Sequence, residues 1–222
     1  MKTSTNSNSS SPLPTLAALL LVCAAGVAAL YHGTMGFEVV STEDGRRLAI
    51  RRQPLALPAA AIHQPEAGTL ARMLGDDGRV AIVTFIYSSC NAVCSVLGSE
   101  YQQMQEQIRK RGLQGAVRLI SISFDPRDTA PVLAAYAQRQ HADPTLWRMV
   151  GVDRDDERKA LLDAFGIVVL PAPMGEFQHN AAFHLIDRQG RLARITDYDN
   201  PAQALEHAVA LSGAPATAGG RL

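Results

Sequence analysis

Two stretches of this chain carry apolar side chains on both faces at once. Residues 79–87 read RVAIVTFIY and residues 117–124 read VRLISISF, near-continuous β-branched and aromatic runs rather than the alternation of a half-exposed strand. Strands buried on both faces require a sheet covered by helices, and parallel neighbours require a long crossover between them. The intervening residues supply one: 94–110 are helix-like and Gly112 ends the pattern. Residues 129–140 predict a second helix with Pro131 in its first turn, where proline is tolerated. Residues 147–152 predict a short strand, and 153–165 a charged amphipathic helix. Residues 181–187 and 191–198 flank Gln189-Gly190 as a hairpin, and 205–211 belong to a last helix. The expected fold is α/β, with one sheet of parallel and antiparallel strands.

The N-terminus has a different constraint. Residues 13–30, LPTLAALLLVCAAGVAAL, carry no charge and follow a polar tail at 1–12. A run of this length spans a hydrocarbon core, so 13–31 are read as a transmembrane anchor. A cleaved signal peptide is the alternative, with the small residues around Gly26-Val27-Ala28 as its processing site. Lys2 precedes the run whereas Arg46, Arg47 and Arg51 follow it, so the bias of positive charge gives no orientation. Cys23 follows Val22, where a lipid-modified cysteine needs a small neighbour, and reads as a buried apolar cysteine. Residues 32–59 hold an alternating piece, FEVVSTEDGRRLAI, which predicts a hairpin at Asp44-Gly45, and then a proline-bearing linker. The main domain is expected over 60–212, with a flexible tail at 213–222. Basic and acidic residues balance at 21 each, which gives no reason to expect a nucleic-acid partner, since that usually needs a clustered basic face.

Two of the three cysteines, Cys90 and Cys94, stand together at the end of the first buried run. Sites in such sheets form at the carboxyl ends of the parallel strands, where Asp125 also falls, at the end of the second run. If the strand 181–187 runs antiparallel, its amino end reaches the same edge and brings His179 with it. Were that strand to extend back to His179, His179 and His184 would face opposite ways. His184 then reads as a packed core histidine, and His32, His63, His141 and His207 as solvated surface. In a helix, residues i and i+4 have Cβ atoms about 5–6 Å apart, which suits a shared metal ion; a disulfide needs a local adjustment. Two thiolates and an imidazole are soft ligands that select Cu(I) or zinc, and zinc sites usually take a fourth protein ligand. With no obvious fourth ligand the metal is read as copper, as Cu(I) with Cu(II) as its oxidised alternative. Redox exchange between the two thiols and inert packing of both remain open on spacing alone.

TFIYSSCNAVCS, SISFDPRDTAPVLAAYAQRQHADPTLWRMVGVD and HNAAFHLIDRQGRL, taken together, resemble the Sco/SenC copper chaperones over about residues 60–211. The resemblance implies a thioredoxin-like mixed sheet flanked by helices, preceded by a single membrane anchor. It implies copper held by Cys90, Cys94 and His179, with Asp125 as an acidic residue beside the site that orients rather than ligates. It further implies a redox-active Cys90–Cys94 pair and, as client, the cytochrome c oxidase subunit carrying the CuA site. The anchored domain would then face the periplasm from the inner membrane. Two departures stand out: Asn91 and Ser95 occupy places where the family carries prolines, which loosens the loop without removing a ligand. On this reading the protein is a metallochaperone without turnover; a membrane-tethered thiol–disulfide reductase or redox sensor using Cys90 and Cys94 is the alternative. His179 separates the two, because a copper site needs it and a reductase does not.

Overall fold

The structure, a computed structural model, describes residues 13–37, 39, 41–63, 68–89 and 93–214, with the side chains of 93–96 left out. The polar tail at 1–12, Cys90, Asn91 and most of the tail expected at 213–222 lie outside the described residues. Contacts divide the chain into two compact units, Met1–Leu48 and Ala49–Leu222.

In the first unit, helix α1 spans Leu13–Gly33. Its 21 residues, at about 1.5 Å each, match a hydrocarbon core of about 30 Å. Every residue of α1, Cys23 included, is exposed rather than packed against the rest of the protein. The hairpin expected at Asp44-Gly45 is instead a helix, α2, Thr42–Arg52. A capping box overrides the turn signal: Ser41 donates from its backbone and hydroxyl to Asp44 (3.0 and 2.8 Å), and the Asp44 N–H returns a bond to the Ser41 hydroxyl (3.1 Å). Glu43 adds an ion pair one turn on, 3.0 Å from Arg47.

The second unit runs β1 (Leu55–Ala56), β2 (Ala61–His63), β3 (Gly68–Thr69), α3 (Leu70–Gly75), β4 (Val80–Ile86), α4 (Val93–Lys110) and β5 (Val117–Ser123). It continues with α5 (Ala130–Arg139), β6 (Trp147–Val152), α6 (Asp155–Phe165), β7 (Val169–Pro171), β8 (Phe177–His179), β9 (Ala182–Ile186), β10 (Arg191–Asp197) and α7 (Pro201–Ser212). One sheet has the order β1-β10-β9-β4-β5-β6-β2-β3. Strands β4, β5 and β6 are parallel, while β9 lies antiparallel to β4 and β10 antiparallel to β9. Every residue of β4 and β5 is buried, as their apolar runs predict. Segment 54–59, read as linker, contributes β1 to the sheet edge beside β10.

Helices α4 and α7 pack on each other and over β4 and β5, while α5 and α6 pack on β6. Tyr101 of α4 is fully buried between Trp147 and Phe183, and its hydroxyl donates to the Ile82 carbonyl at 3.0 Å. Burial pushes that phenol well above its ordinary range. Arg118, a charge inside β5, is paired with Asp77 and the Met73 carbonyl; burial pushes its guanidinium down to about 10.

His179 and His184 do not share a strand. Strand β8 ends at His179 and pairs with β7 in a separate two-stranded sheet, whereas β9 starts at Ala182. His184 is the packed core histidine the sequence predicts, with its ring against Phe85 and Phe165 and Nε2 3.1 Å from the Phe165 carbonyl.

Candidate metal site

Strands β4 and β5 end side by side, Ile86 opposite Ser123. The chain leaves β4 through Tyr87 and Ser88 towards Cys90, and leaves β5 through Phe124 and Asp125. Cys90 lies outside the described residues, as does any statement about the Cys94 side chain; the backbone of Cys94 is in the first turn of α4. Free backbone N–H groups in a first helical turn favour a thiolate over a thiol.

The histidine arrives on the β7–β8 hairpin, in which Val169 pairs with His179 and Pro171 with Phe177. Met174 and Gly175 turn its tip through positive φ (59° and 76°), a conformation that glycine adopts without strain. Two side chains from the strand ends fasten this hairpin. Tyr87, packed against Phe124 and Phe177, donates its hydroxyl to Glu176 Oε2 at 2.7 Å, and the hydroxyl oxygen accepts from the Phe177 N–H at 3.4 Å. Arg127 donates to the Gly175 carbonyl at 2.8 Å, with its guanidinium 5.4 Å above the Phe177 ring.

Asp125 works through Arg127. Its buried carboxylate accepts from Arg127 Nε at 2.9 Å on each oxygen and from Nη2 at 2.7 Å, and Oδ1 also accepts the Arg127 backbone N–H at 2.9 Å. Burial alone raises the carboxyl, but the Arg127 hydrogen bonds and charge outweigh it and hold Asp125 below the usual carboxylate range. Both oxygens are thus engaged by the arginine that holds the hairpin.

His179 is half-buried, its ring 5.0 Å from Phe124 and 6.1 Å from Tyr87, between centroids. Nδ1 lies 2.9 Å from the Asn180 carbonyl. A carbonyl only accepts, so Nδ1 carries a proton, and in the neutral ring the lone pair then falls on Nε2. That Nε2 is buried and has no hydrogen-bond partner among the described residues. Leaving such an acceptor without a partner costs about 1–3 kcal/mol, a deficit that a coordinated metal ion removes. Asn180 anchors the end of β8, accepting from the Val168 N–H at 2.7 Å and donating to the Gly166 carbonyl at 2.8 Å.

Sequence reasoning missed Tyr87, Arg127 and the hairpin as supports of the site; Pro171, Pro173 and Gly175 are the turn signals that mark it. His63, read as solvated surface, has its ring between the Asp153 carboxylate and the Asp128 carbonyl. Among the described residues no group of three or more His, Cys, Asp or Glu is placed to hold a metal ion.

A family model described as SCO1/SenC matches residues 67–211. A curated relative, the SCO1 protein homolog of Bacillus subtilis (strain 168), is 25% identical over 126 residues, 55% of this chain. The matched part spans 63% of that relative's length. ScoI of Bradyrhizobium japonicum, solved with copper bound, is 23% identical with a TM-score of 0.54, over 70% of this chain and 99% of that one. BsSco, a member of the Sco family of cytochrome c oxidase assembly proteins in which a disulfide switch is identified, is 20% identical with a TM-score of 0.57, over 72% of this chain and 96% of that one. At these identities the solved structures speak to fold, and it is the thioredoxin-like fold expected.

Proposed function

The chain belongs to the SCO1/SenC family, and from that premise we propose that it is a membrane-tethered copper-binding protein of cytochrome c oxidase assembly. Copper is its cargo, held as Cu(I) by the thiolates of Cys90 and Cys94 and by Nε2 of His179. The observation that supports this most is the buried Nε2 of His179, which has no hydrogen-bond partner among the described residues and lies beside the strand end that leads to Cys90. Its donor class fits: thiolate and neutral imidazole together suit Cu(I). The ScoI and yeast Sco1 structures with copper bound are consistent with it.

In this reading Asp125 and Arg127 keep the His179 hairpin in place rather than touch the ion. The client is the CuA-bearing subunit of the oxidase, which receives copper or has its cysteines kept reduced. Helix α1 serves as an uncleaved single-pass anchor in the inner membrane, with the domain on the periplasmic side. A tether confines the search to the membrane plane and raises the effective concentration near an integral-membrane client. The disulfide switch of BsSco favours a second reading, in which Cys90 and Cys94 act as a thiol–disulfide reductase or redox sensor.

Deleting the protein from its cell under copper limitation distinguishes these. Delivery predicts a fall in copper-loaded oxidase that added copper partly restores, and weaker rescue by an exported version lacking residues 13–31. Normal oxidase activity in copper-limited deletion cells contradicts delivery and leaves the thiol reading.

A further inference from the structure

Asp128 lies in the turn between β5 and α5, three residues after Asp125, and has no part in the hairpin that carries His179. It is buried, at 4% exposure. Among the described residues its carboxylate is hydrogen-bonded by hydroxyl and amide donors, and its charge also acts on the neighbouring Arg127. Oδ2 accepts from the Ser88 N–H at 2.8 Å and from the Ser123 hydroxyl at 2.6 Å, while Oδ1 accepts from the Ser88 hydroxyl. A carboxylate taken out of water needs such bonds intact, because each one lost leaves buried charge uncompensated.

The residue those bonds fix is informative. Ser88 is held at both backbone and side chain, and it stands two residues before Cys90. Ser123, the last residue of β5, in turn accepts from the Asp125 N–H at 3.2 Å. Behind this cluster the Asp128 carbonyl lies 3.1 Å from His63 Nε2, and the other ring nitrogen of His63 meets Asp153. The His63 ring fills the space over Gly151 that a Cβ would occupy. Asp128 is thus clamped from two sides and is itself the clamp on Ser88.

We propose that Asp128 is a positioning residue for the cysteine pair. Only residues 90–92 separate Ser89 from the first turn of α4, which bears Cys94. Ser88 is the second residue before Cys90, so the bonds that fix Ser88 fix where the chain sets out towards the pair. The proposal rests on the reading of these cysteines as the working pair. Its effect is to raise the effective concentration of one thiol at the other, in disulfide formation and in copper binding alike.

Asparagine at 128 offers one acceptor oxygen for the Ser88 N–H and an amide that the Ser88 hydroxyl can rotate to meet. Alanine offers neither. Full-length protein in detergent micelles, free of metal, is equilibrated with reduced and oxidised dithiothreitol. Cys90 and Cys94 give two electrons and two protons to oxidised dithiothreitol, forming their disulfide and the reduced reagent. Alkylation and mass spectrometry read the ratio. Asp128→Ala is expected to shift the equilibrium tenfold or more towards the dithiol, about 30 mV less negative. Asp128→Asn stays within threefold of wild type, and Ser88→Ala falls between. A parallel Cu(I) competition titration should weaken tenfold in Asp128→Ala. A thermal melt confirms that each variant folds; if Asp128→Ala does not, Ser88→Ala decides, with a threefold shift expected. An Asp128→Ala equilibrium within twofold of wild type overturns the proposal, as does no shift in Ser88→Ala where that variant decides. Failure of the wild type to bind Cu(I) overturns the copper reading alone and leaves the thiol comparison standing.

Discussion

Replacing Tyr87 with phenylalanine removes one oxygen and keeps the ring. The ring contacts with Phe124, Phe177 and His179 persist, at centroid distances of 5.4, 5.3 and 6.1 Å. What goes is the 2.7 Å bond to the Glu176 carboxylate, the 3.2 Å alternative to the Phe177 carbonyl and the 3.4 Å bond from the Phe177 N–H. A hydrogen bond to a charged group contributes about 1.5–3 kcal/mol, and this one sits at the low end because the half-exposed Glu176 regains water. The Phe177 bonds are long and add little. The expected cost is about 1–2 kcal/mol. At about 2–4 °C per kcal/mol for a domain of this size, the melting temperature should fall by roughly 2–8 °C. Because the hydroxyl ties the strand leading to Cys90 to the hairpin bearing His179, Cu(I) affinity should also fall, by up to about tenfold for 1.4 kcal/mol. The assay is thermal melting with and without copper, extended to a double-mutant cycle with Glu176→Gln. A coupling of about 1 kcal/mol is expected between the two sites. A melting temperature within 1 °C of wild type together with zero coupling would refute the strap.

Acid should unfold the domain through its paired carboxylates. Asp125, and likewise Asp77, has its folded value held below the ordinary 3.8 by arginine partners despite burial. Such groups contribute stability that is complete above the unfolded value and is lost as pH falls through the lower folded value. Urea midpoints should therefore drop below about pH 4, and less steeply in Asp125→Asn; equal slopes would contradict the pairing. Gly151→Ala places a methyl against the His63 imidazole and should cost about 1–3 kcal/mol by urea unfolding, but almost nothing in a His63→Ala background. An equal cost in both backgrounds would show that the ring is not what the methyl meets. Mild oxidant should convert Cys90 and Cys94 to an intramolecular disulfide without involving Cys23, and bound copper should protect the pair from alkylation, both read by mass spectrometry.

The central sheet is legible because burial on both faces leaves a mark in composition: the runs that become β4 and β5 contain a single charge each at most, and Arg118 is the buried one. The β9–β10 hairpin is legible for the same reason, with Gln189-Gly190 at its turn and Gly190 at φ 77°. Around Asp44-Gly45 the alternation competes with a capping box, and the box wins because its reciprocal bonds satisfy free helix N–H groups that a turn would not present. The β7–β8 hairpin has strands of three residues, too short for either periodicity to register. Position at a strand end is what makes Cys90, Cys94 and Asp125 an expected group, of which Asp125 is the side chain described. The tie from Tyr87 to Glu176 spans 89 residues and follows from no local pattern. His63 looks like surface for the same reason, since both of its ring partners come from distant turns, 65 and 90 residues away.

Cu(I) titration of the reduced, full-length protein in detergent micelles, with a competing chelator, tests the central claim most directly. One equivalent should bind the wild type. His179→Ala should weaken binding, and replacing either cysteine should weaken it far more, because the sulfurs supply most of the match in softness. Binding of wild-type strength after both Cys90→Ala and Cys94→Ala, or no binding by the wild type, would contradict it.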